Sequence, residues 1–524
     1  MLKIADLTDK ELGVVFTPLK TAEYIVSRLG PISQNDVILD PCVGKGVFVE
    51  ALLKSGVSRN QIVSFDINPS YKDKIENLGI EFRALDTLLR ITPEDYNKFN
   101  FIVGNPPYLN KASIYIKTKR KELKRLYGKI NAHETYSMFI VNSIWRLKEG
   151  GKLGFITSDS FLSLSTHTRL RKFILNTCRI NEILLASKNL FSRQNVNINP
   201  VILILTKCPG QNNYETRKKN VVRVISRVKV EDDYWNPKKV INLEQFKYNL
   251  LPFNIFFTDI EGGIIELFSN APKIKRYLQG YIGMHTHNNQ KFIAALENTD
   301  LAETFKKKNT KIDAPDKKFK IITTKELDFI NWKPYLKRGG ADQYYRALIE
   351  AIDWKEGSRK NYDIPLNVPF EEEGIIISGV SSRLAARYMP KGCYWDSNKA
   401  IGFLVKTNTI SIFYFLGLLN SSLYNFLAKG VINNTYSIQI TGIHALPFIP
   451  PDKETMNNVE ILVKKIIKKK QQDKDYDYSK EQKQIDELIF KLYSKKYNLS
   501  NNFNQILKRK YSIYKNSEKS DIIS

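Results

Sequence analysis

The residues with the clearest chemical potential are Asn105-Pro106-Pro107-Tyr108, directly after the apolar run Phe101-Ile102-Val103-Gly104. Two consecutive prolines restrict the backbone, so Asn105 is expected to be extended within a rigid loop. An aromatic exocyclic amine is a poor nucleophile unless acceptors hold both of its N–H groups. The Asn105 side-chain oxygen and the Pro106 carbonyl could be those acceptors, and the Tyr108 ring could stack on a planar base. The tetrapeptide alone would also suit an ordinary proline turn.

A second candidate site lies earlier, in a glycine-containing turn between an apolar strand and a helix. Asp40-Pro41 end the strand, and Gly44 and Gly46 would let a ligand approach the backbone closely. Phe48 stands near the place of the third glycine of the dinucleotide fingerprint, so a pyrophosphate is disfavoured. The turn therefore predicts a binding site for a ligand without that group.

Two acidic residues follow the glycine turn at informative positions. Asp66 ends the next strand, 20 positions after Gly46 (66 minus 46), where an acid commonly accepts hydrogen bonds from ribose hydroxyls. Asp86 ends another possible strand and could accept from an adenine amine. A strand-end aspartate is also often a helix N-cap, so the order and spacing of the set carry this interpretation.

The elements that must position these residues form an alternating pattern from residue 37 to about 206. Short apolar runs alternate with amphipathic stretches, which predicts an α/β fold with a mainly parallel sheet and helices on both faces. The predicted strands include Val37–Asp40, Ile62–Asp66, Phe101–Gly104, Lys152–Ile156 and Pro200–Leu205.

The remainder of the chain predicts two further regions. Residues 1–260 are expected to form the catalytic domain and 261–450 a mixed α+β domain. A basic helical tail is expected over 451–524, and its lysine cluster is typical of a solvated helix face.

Composition narrows the classes of partner and compartment. The chain has 81 Lys plus Arg against 54 Asp plus Glu, a net charge of +27, which favours a polyanion such as nucleic acid. Four distant cysteines without a CxxC pair suggest neither disulfides nor a zinc site, so no metal is expected and a reducing cytoplasm fits. The most apolar stretch, residues 409–419, is shorter than the roughly 20 residues of a membrane span.

Taken together, the motifs resemble the gamma-class amino-methyltransferases of bacterial restriction-modification systems, in which the cofactor motifs precede Asn-Pro-Pro-Tyr and a specificity domain follows. Residues 13–18 look like the N-terminal motif of that class, with Thr17 at the cofactor. Phe139 sits where the family places an aromatic beside the cofactor adenine, and Phe191 where it places one that stacks on the flipped base. A core phenylalanine is the alternative at both positions.

The resemblance implies a Rossmann-like class I methyltransferase domain with a seven-stranded sheet and S-adenosyl-L-methionine as cofactor. It implies site-specific methylation of adenine N6 in double-stranded DNA, since cytosine-N4 relatives usually carry Ser where Asn105 stands. The second-half segments that look similar to the target-recognition domain are 280–292, 332–339, 415–426 and 442–450.

Two alternatives remain open. One is a methyltransferase that acts on a protein glutamine or a ribosomal RNA base, because the same tetrapeptide occurs there; the other is a non-catalytic DNA-binding protein on a Rossmann-like scaffold. A separately encoded endonuclease is a candidate partner. Modification without cleavage is expected, because the first motif begins at residue 13 and no convincing nuclease motif follows.

Overall fold

The computed structural model describes residues 8–131, 133–194, 198–260, 262–337, 340–397, 399–432 and 437–511. Its contacts divide the chain into two units, Met1–Ile260 and Glu261–Ser524. The separate recognition domain and tail within the second unit stay a prediction. Arg338 and Gly339, at the end of one family-like segment, and residues 512–524 of the tail lie outside the described residues.

The first unit is built on one sheet. Its strands are β1 (Ile38–Asp40), β2 (Ile62–Asp66), β3 (Glu81–Ala84), β4 (Phe99–Gly104), β5 (Leu147–Ser158), β6 (Cys178–Leu185), β7 (Pro200–Lys207), β8 (Val221–Ile225) and β9 (Val240–Glu244). They lie in the order β3-β2-β1-β4-β5-β7-β6-β8-β9. The first five strands in this order, β3, β2, β1, β4 and β5, are all parallel to their neighbours. Strand β7 runs antiparallel to both β5 and β6. The predicted α/β class is confirmed.

The predicted number of seven strands is wrong. Strand β8 pairs in parallel with β6, and β9 pairs antiparallel with β8, so nine strands form the sheet in the described residues. Strand β8 ends at Ile225. Without β8, β6 would be the edge strand of a seven-stranded sheet, with unpaired backbone groups along one side. Strand β8 pairs with those groups and so extends the sheet.

Helices cover this sheet and bury its apolar strands. They are α1 (Leu19–Ser27), α2 (Val47–Lys54), α3 (Lys72–Glu76), α4 (Ile114–Thr118), α5 (Arg120–Tyr127), α6 (Thr135–Arg146), α7 (Ser160–Ser163), α8 (Thr168–Thr177) and α9 (Tyr214–Lys218). Every residue of β1 and β7 is buried, as expected for strands covered on both faces.

In its described residues, the second unit contains two smaller sheets. Its strands are β10 (Leu278–Ile282), β11 (Ile293–Leu296), β12 (Lys320–Ile322), β13 (Trp332–Leu336), β14 (Glu350–Asp353), β15 (Gly374–Ser378), β16 (Ala386–Met389), β17 (Tyr394–Trp395) and β18 (Ala400–Val405). One sheet has the order β10-β18-β15-β16 and is antiparallel; the other has the order β12-β11-β14-β13-β17 and is mixed.

The helices of the second unit are concentrated towards its end. They are α10 (Gly262–Asn270), α11 (Asn289–Phe292), α12 (Asp300–Asn309), α13 (Glu356–Arg359), α14 (Ile412–Asn420), α15 (Ser422–Asn425), α16 (Ile440–His444), α17 (Lys453–Gln472), α18 (Ser479–Tyr497) and α19 (Asn501–Lys510). Helix α17 packs on α14 where Gly417 leaves room for Val459. In the described part of the chain, no helix has both the length and the apolar character of a membrane span.

Candidate active site

The two predicted loops lie at the same edge of the sheet. Strands β1 and β4 are parallel neighbours, so the turn after Asp40 and the loop that begins at Asn105 both leave their carboxyl ends. A Cβ placed on Gly104 would lie 3.3 Å from Asp40 Oδ1 and 3.4 Å from Cys42 Sγ. This edge is where open α/β sheets bind ligands.

The Asn105 side chain is held in one orientation. Its Nδ2 donates to the Val15 carbonyl over 2.7 Å, and its Oδ1 accepts from the Tyr108 hydroxyl over 2.8 Å. Because a carbonyl can only accept, the bond to Val15 fixes which end of the amide is nitrogen. The Tyr108 N–H donates to the Gly13 carbonyl over 2.9 Å. The predicted N-terminal motif therefore lies directly against the Asn-Pro-Pro-Tyr loop.

The other side of this loop rests on the first residue of α6. Thr135 Oγ1 donates to the Pro107 carbonyl and accepts from the Leu109 N–H over 2.9 Å. No hydrogen bond reaches the Pro106 carbonyl from any described residue. The loop thus keeps one carbonyl free while its neighbour is used to fix the backbone.

Two aromatic rings lie beside Tyr108. The ring of Phe191 is 6.4 Å away, at 56°, and that of Tyr136 is 6.4 Å away, at 42°. Burial raises the pKa of the Tyr108 hydroxyl above its usual range, so the hydroxyl remains a donor. Phe191 is only 1% exposed and belongs to the core, and Phe139 on α6 is 6% exposed. Stacking on a base or a cofactor stays a prediction for both phenylalanines.

The glycine turn adopts a backbone that requires glycine. Gly44 has φ +50° and Gly46 has φ +84°, both in the left-handed region. A Cβ on Gly46 would lie 2.8 Å from Ile75 Cδ1, whereas, apart from Gly44 and its two chain neighbours, no described residue has an atom within 4 Å of a Cβ on Gly44. The two glycines therefore serve different purposes, the first facing open space and the second packing against α3.

Asp66 holds the turn from below. Its Oδ2 accepts from the Gly44 N–H over 2.8 Å and its Oδ1 from the Asn68 N–H over 2.9 Å. Burial raises the pKa of this carboxyl to about 6, although the two backbone N–H groups oppose the shift. Each oxygen retains a further lone pair, so a contact with a ribose remains compatible with this structural role.

Asp40 and Thr17 contain buried polar atoms that have no hydrogen-bond partner among the described residues. Asp40 is fully buried; its Oδ1 accepts from the Cys42 N–H over 3.1 Å, but its Oδ2 accepts nothing. Burial raises the pKa of Asp40 to about 8. The Thr17 hydroxyl is buried and equally unpartnered. Because such atoms are costly to leave unbonded, they fit a polar ligand such as the amino-acid end of a cofactor.

The carboxylate of Asp86 already accepts hydrogen bonds from other groups of the protein. Both of its oxygens accept from the Tyr115 hydroxyl at 3.0 Å, and Oδ1 also accepts from the Leu88 N–H at 3.1 Å. Burial raises its pKa. The next residue, Thr87, donates to the Pro41 carbonyl over 2.7 Å and so ties this loop to the glycine turn. Phe48, the remaining predicted residue, is 2% exposed within the core.

Two residues at this edge are absent from the predicted set. The Gln194 side chain accepts from the Phe16 N–H and donates to the Phe16 carbonyl, both over 2.8 Å. Lys45, between the two glycines, lies over the Phe16 ring with its Nζ 3.9 Å from the centroid. The lysine was visible inside the glycine motif, whereas no local pattern identifies a glutamine 178 positions from its partner.

Comparison with known families matches both halves of the chain. Residues 48–191 match the Eco57I restriction-modification methylase family, and residues 317–448 match the TaqI-like C-terminal specificity domain. The first match contains the Asn-Pro-Pro-Tyr loop and Phe191.

Individual relatives are similar over shorter stretches. The type II methyltransferase M.HincII of Haemophilus influenzae is 30% identical over 183 residues, which is 34% of this chain and 34% of that protein. The type II methyltransferase M.BstVI of Geobacillus stearothermophilus is 27% identical over 254 residues, 41% of this chain and 44% of that protein. The chain thus matches less than half the length of these relatives.

Solved structures share the fold. The type IIL restriction-modification enzyme MmeI, in complex with DNA, has a TM-score of 0.56 at 11% identity, over 93% of this chain and 74% of that one. A nuclease-deletion mutant of the type ISP enzyme LlaGI has a TM-score of 0.51 at 14% identity, over 86% and 54%. The chain therefore contains one segment similar to the Eco57I restriction-modification methylases and a second segment similar to the TaqI-like C-terminal specificity domain.

Proposed function

We propose that the protein transfers a methyl group from S-adenosyl-L-methionine to N6 of a flipped adenine in double-stranded DNA, as the modification component of a restriction-modification system. The observation that carries this proposal is the orientation of Asn105. Its amide is fixed by the Val15 carbonyl, beside a free Pro106 carbonyl and next to the glycine turn.

The loop can supply both acceptors that an aromatic amine needs. A carbonyl oxygen has two lone pairs, so Asn105 Oδ1 can accept an amine N–H while it still accepts from the Tyr108 hydroxyl. The Pro106 carbonyl accepts the second N–H. With both N–H groups held, the nitrogen lone pair is drawn out of conjugation and becomes nucleophilic. Tyr108 provides the surface on which the flipped base stacks.

S-adenosyl-L-methionine supplies a methyl group activated by a sulfonium. We assign its binding to the glycine-turn edge, where Asp40 Oδ2 and Thr17 Oγ1 are buried and have no hydrogen-bond partner in the described part of the chain. An ammonium group would satisfy the Asp40 carboxylate and lower its pKa again. The residues assigned to this cofactor are Thr17, Asp40, Pro41, Gly44, Gly46, Phe48, Asp66, Asp86 and Phe139.

DNA is the substrate that the rest of the chain favours. A net charge of +27 suits a phosphate backbone, and the specificity-domain match covers a region separate from the catalytic motifs. A base must leave the helix before its exocyclic amine can enter the site. We place the reaction in the cytoplasm and propose a separately encoded endonuclease as the genetic partner.

The test is methyl transfer by the purified protein to DNA from a methylation-deficient host, with labelled S-adenosyl-L-methionine. Sequencing of the product for N6-methyladenine identifies the atom and the recognition site. We expect Asn105→Ala to lower kcat about 100- to 1,000-fold, the effect of removing one oriented polar group from a reacting centre. Asn458→Ala, an exposed asparagine on α17, is the matched control and should retain full activity.

Three results would contradict the proposal. Label in ribosomal RNA or protein but not in DNA would assign the site to another amine or amide. Full activity of Asn105→Ala would remove the asparagine from the mechanism. DNA binding without any methyl transfer would leave a binding protein on the same scaffold.

A further inference from the structure

Three side chains with metal-ligating groups meet in the second unit, in the segment after β10 and the segment after α13. His285, His287 and Asp363 each offer one ligand atom, and all of these atoms lie within 4.8 Å of one another. The two imidazole rings have centroids 4.5 Å apart, and His287 Nε2 lies 2.7 Å from Asp363 Oδ2. Two imidazoles and one carboxylate therefore converge on one point.

The backbone beneath this cluster is tied together by hydrogen bonds and flanked by buried residues. His285 and Asp363 exchange both backbone hydrogen bonds, at 3.1 and 2.9 Å, as an antiparallel bridge. Their neighbours Met284 and Tyr362 are both buried in one hydrophobic cluster. The cluster is thus held by the core of the unit, although its outer side chains are solvent-accessible, 58% for His287 and 74% for Asp363.

A simple ion pair explains this arrangement poorly. Exposed His–Asp pairs stabilise a protein little. His287 nevertheless adopts φ +55°, in the left-handed region that residues other than glycine rarely occupy. The His287 N–H also donates to His285 Nδ1 over 3.3 Å. A bound cation shared by the three groups would give this backbone a purpose beyond that hydrogen bond and the ion pair.

We propose that His285, His287 and Asp363 bind one divalent transition-metal ion, with Zn²⁺ as the preferred ion. Imidazole nitrogens suit zinc, whereas Mg²⁺ and Ca²⁺ prefer sites made of oxygen alone. Three protein ligands leave a fourth tetrahedral position for water. This site is independent of the proposed methyl transfer.

The experiment is calorimetric titration of Zn²⁺ into the full-length protein, purified without a polyhistidine tag. We expect one ion per chain for the wild type and no binding of Mg²⁺ under the same conditions. His287→Ala and Asp363→Asn should each weaken binding at least about tenfold, since loss of an outer-shell partner alone costs that much. His133→Ala removes an exposed histidine outside the cluster and should bind like the wild type.

A second measurement separates this site from the four free cysteines. Co²⁺ bound by imidazole and carboxylate gives visible d–d bands without the near-ultraviolet band of a cobalt thiolate. The proposal is overturned if the wild type binds no Zn²⁺, if His287→Ala and Asp363→Asn both bind like the wild type, or if the cobalt spectrum shows thiolate. Circular dichroism checks the fold of each variant, and Asp363→Asn preserves the side-chain shape should His287→Ala fail to fold.

Discussion

A turn can require glycine because of its backbone conformation or because a side chain would not fit. Replacing Gly44 or Gly46 by alanine distinguishes these two reasons. Both residues have a left-handed backbone, which costs an alanine about 1–2 kcal/mol. Alanine also reduces the conformational entropy of the unfolded chain, which returns about 0.4–1 kcal/mol. The backbone alone therefore predicts a net loss of about 0.5–1 kcal/mol at either position.

The surroundings make the two substitutions unequal. Beyond its chain neighbours, a Cβ on Gly44 meets no atom of a described residue within 4 Å, whereas one on Gly46 lies 2.8 Å from Ile75 Cδ1. Overpacking costs about 1–3 kcal/mol, and the flexible end of Ile75 places this case near the lower limit. Gly46→Ala should thus lose about 2 kcal/mol in total. At about 2–4 °C per kcal/mol, the thermal midpoint should fall by about 2 °C for Gly44→Ala and about 5 °C for Gly46→Ala.

Cofactor binding should be affected in the opposite order, more by Gly44→Ala than by Gly46→Ala. A ligand at 100 times its Kd stabilises the folded protein by about 2.7 kcal/mol, or roughly 5–10 °C. Thermal melting with and without S-adenosyl-L-methionine measures this shift. We expect Gly46→Ala to retain it and Gly44→Ala to lose most of it, because the new methyl group enters the space assigned to the cofactor. An unchanged shift in Gly44→Ala would refute that assignment, and a Gly46→Ala variant more stable than Gly44→Ala would refute the packing argument.

Two further predictions concern a buried carboxyl and a buried hydroxyl. Burial raises the pKa of Asp40 to about 8, so the folded, ligand-free protein holds a proton that the unfolded chain releases near pH 4. Its unfolding free energy should fall as pH rises from about 4 to about 8, and urea titrations of Asp40→Asn should show a flatter profile; an identical profile would contradict the burial argument. Thr135→Val leaves the Pro107 carbonyl and the Leu109 N–H unpaired, which should cost about 1–3 kcal/mol of stability and lower kcat while cofactor affinity is kept. Equal losses in kcat and cofactor binding would show that α6 supports more than this loop.

Much of the first unit was predictable because its strands are short apolar runs next to glycine or proline. Strand β6 is absent from the predicted set because polar residues interrupt its apolar pattern. Its Glu182 is 1% exposed, yet it is bonded to the Tyr24 hydroxyl at 2.8 Å and to Arg28 and Arg223 at 2.9 and 2.5 Å. Those partners come from distant parts of the chain, so no local sequence pattern predicts them.

The sequence could predict that the candidate site residues lie at one edge of the sheet, but not the hydrogen bonds among them. Asp40 ends a predicted parallel strand and Asn105 follows another, and parallel strands end on the same side of a sheet. The sequence therefore predicted that both residues lie at one sheet edge. It could not show that Asp66 supports the backbone of Gly44 or that Tyr115 occupies Asp86. The His-x-His of residues 285–287 was visible in the sequence, but its third partner lies 76 positions after His287.

The bond between Asn105 and Val15 joins residues 90 positions apart. Such a contact closes a long loop, and the entropy of loop closure must be overcome before the contact contributes to stability. During refolding, the sheet should therefore regain its secondary structure before the amide acquires a fixed direction. An Asn-Pro-Pro-Tyr sequence placed in another protein would therefore also need a segment that orients its asparagine, as the segment around Val15 orients Asn105 here.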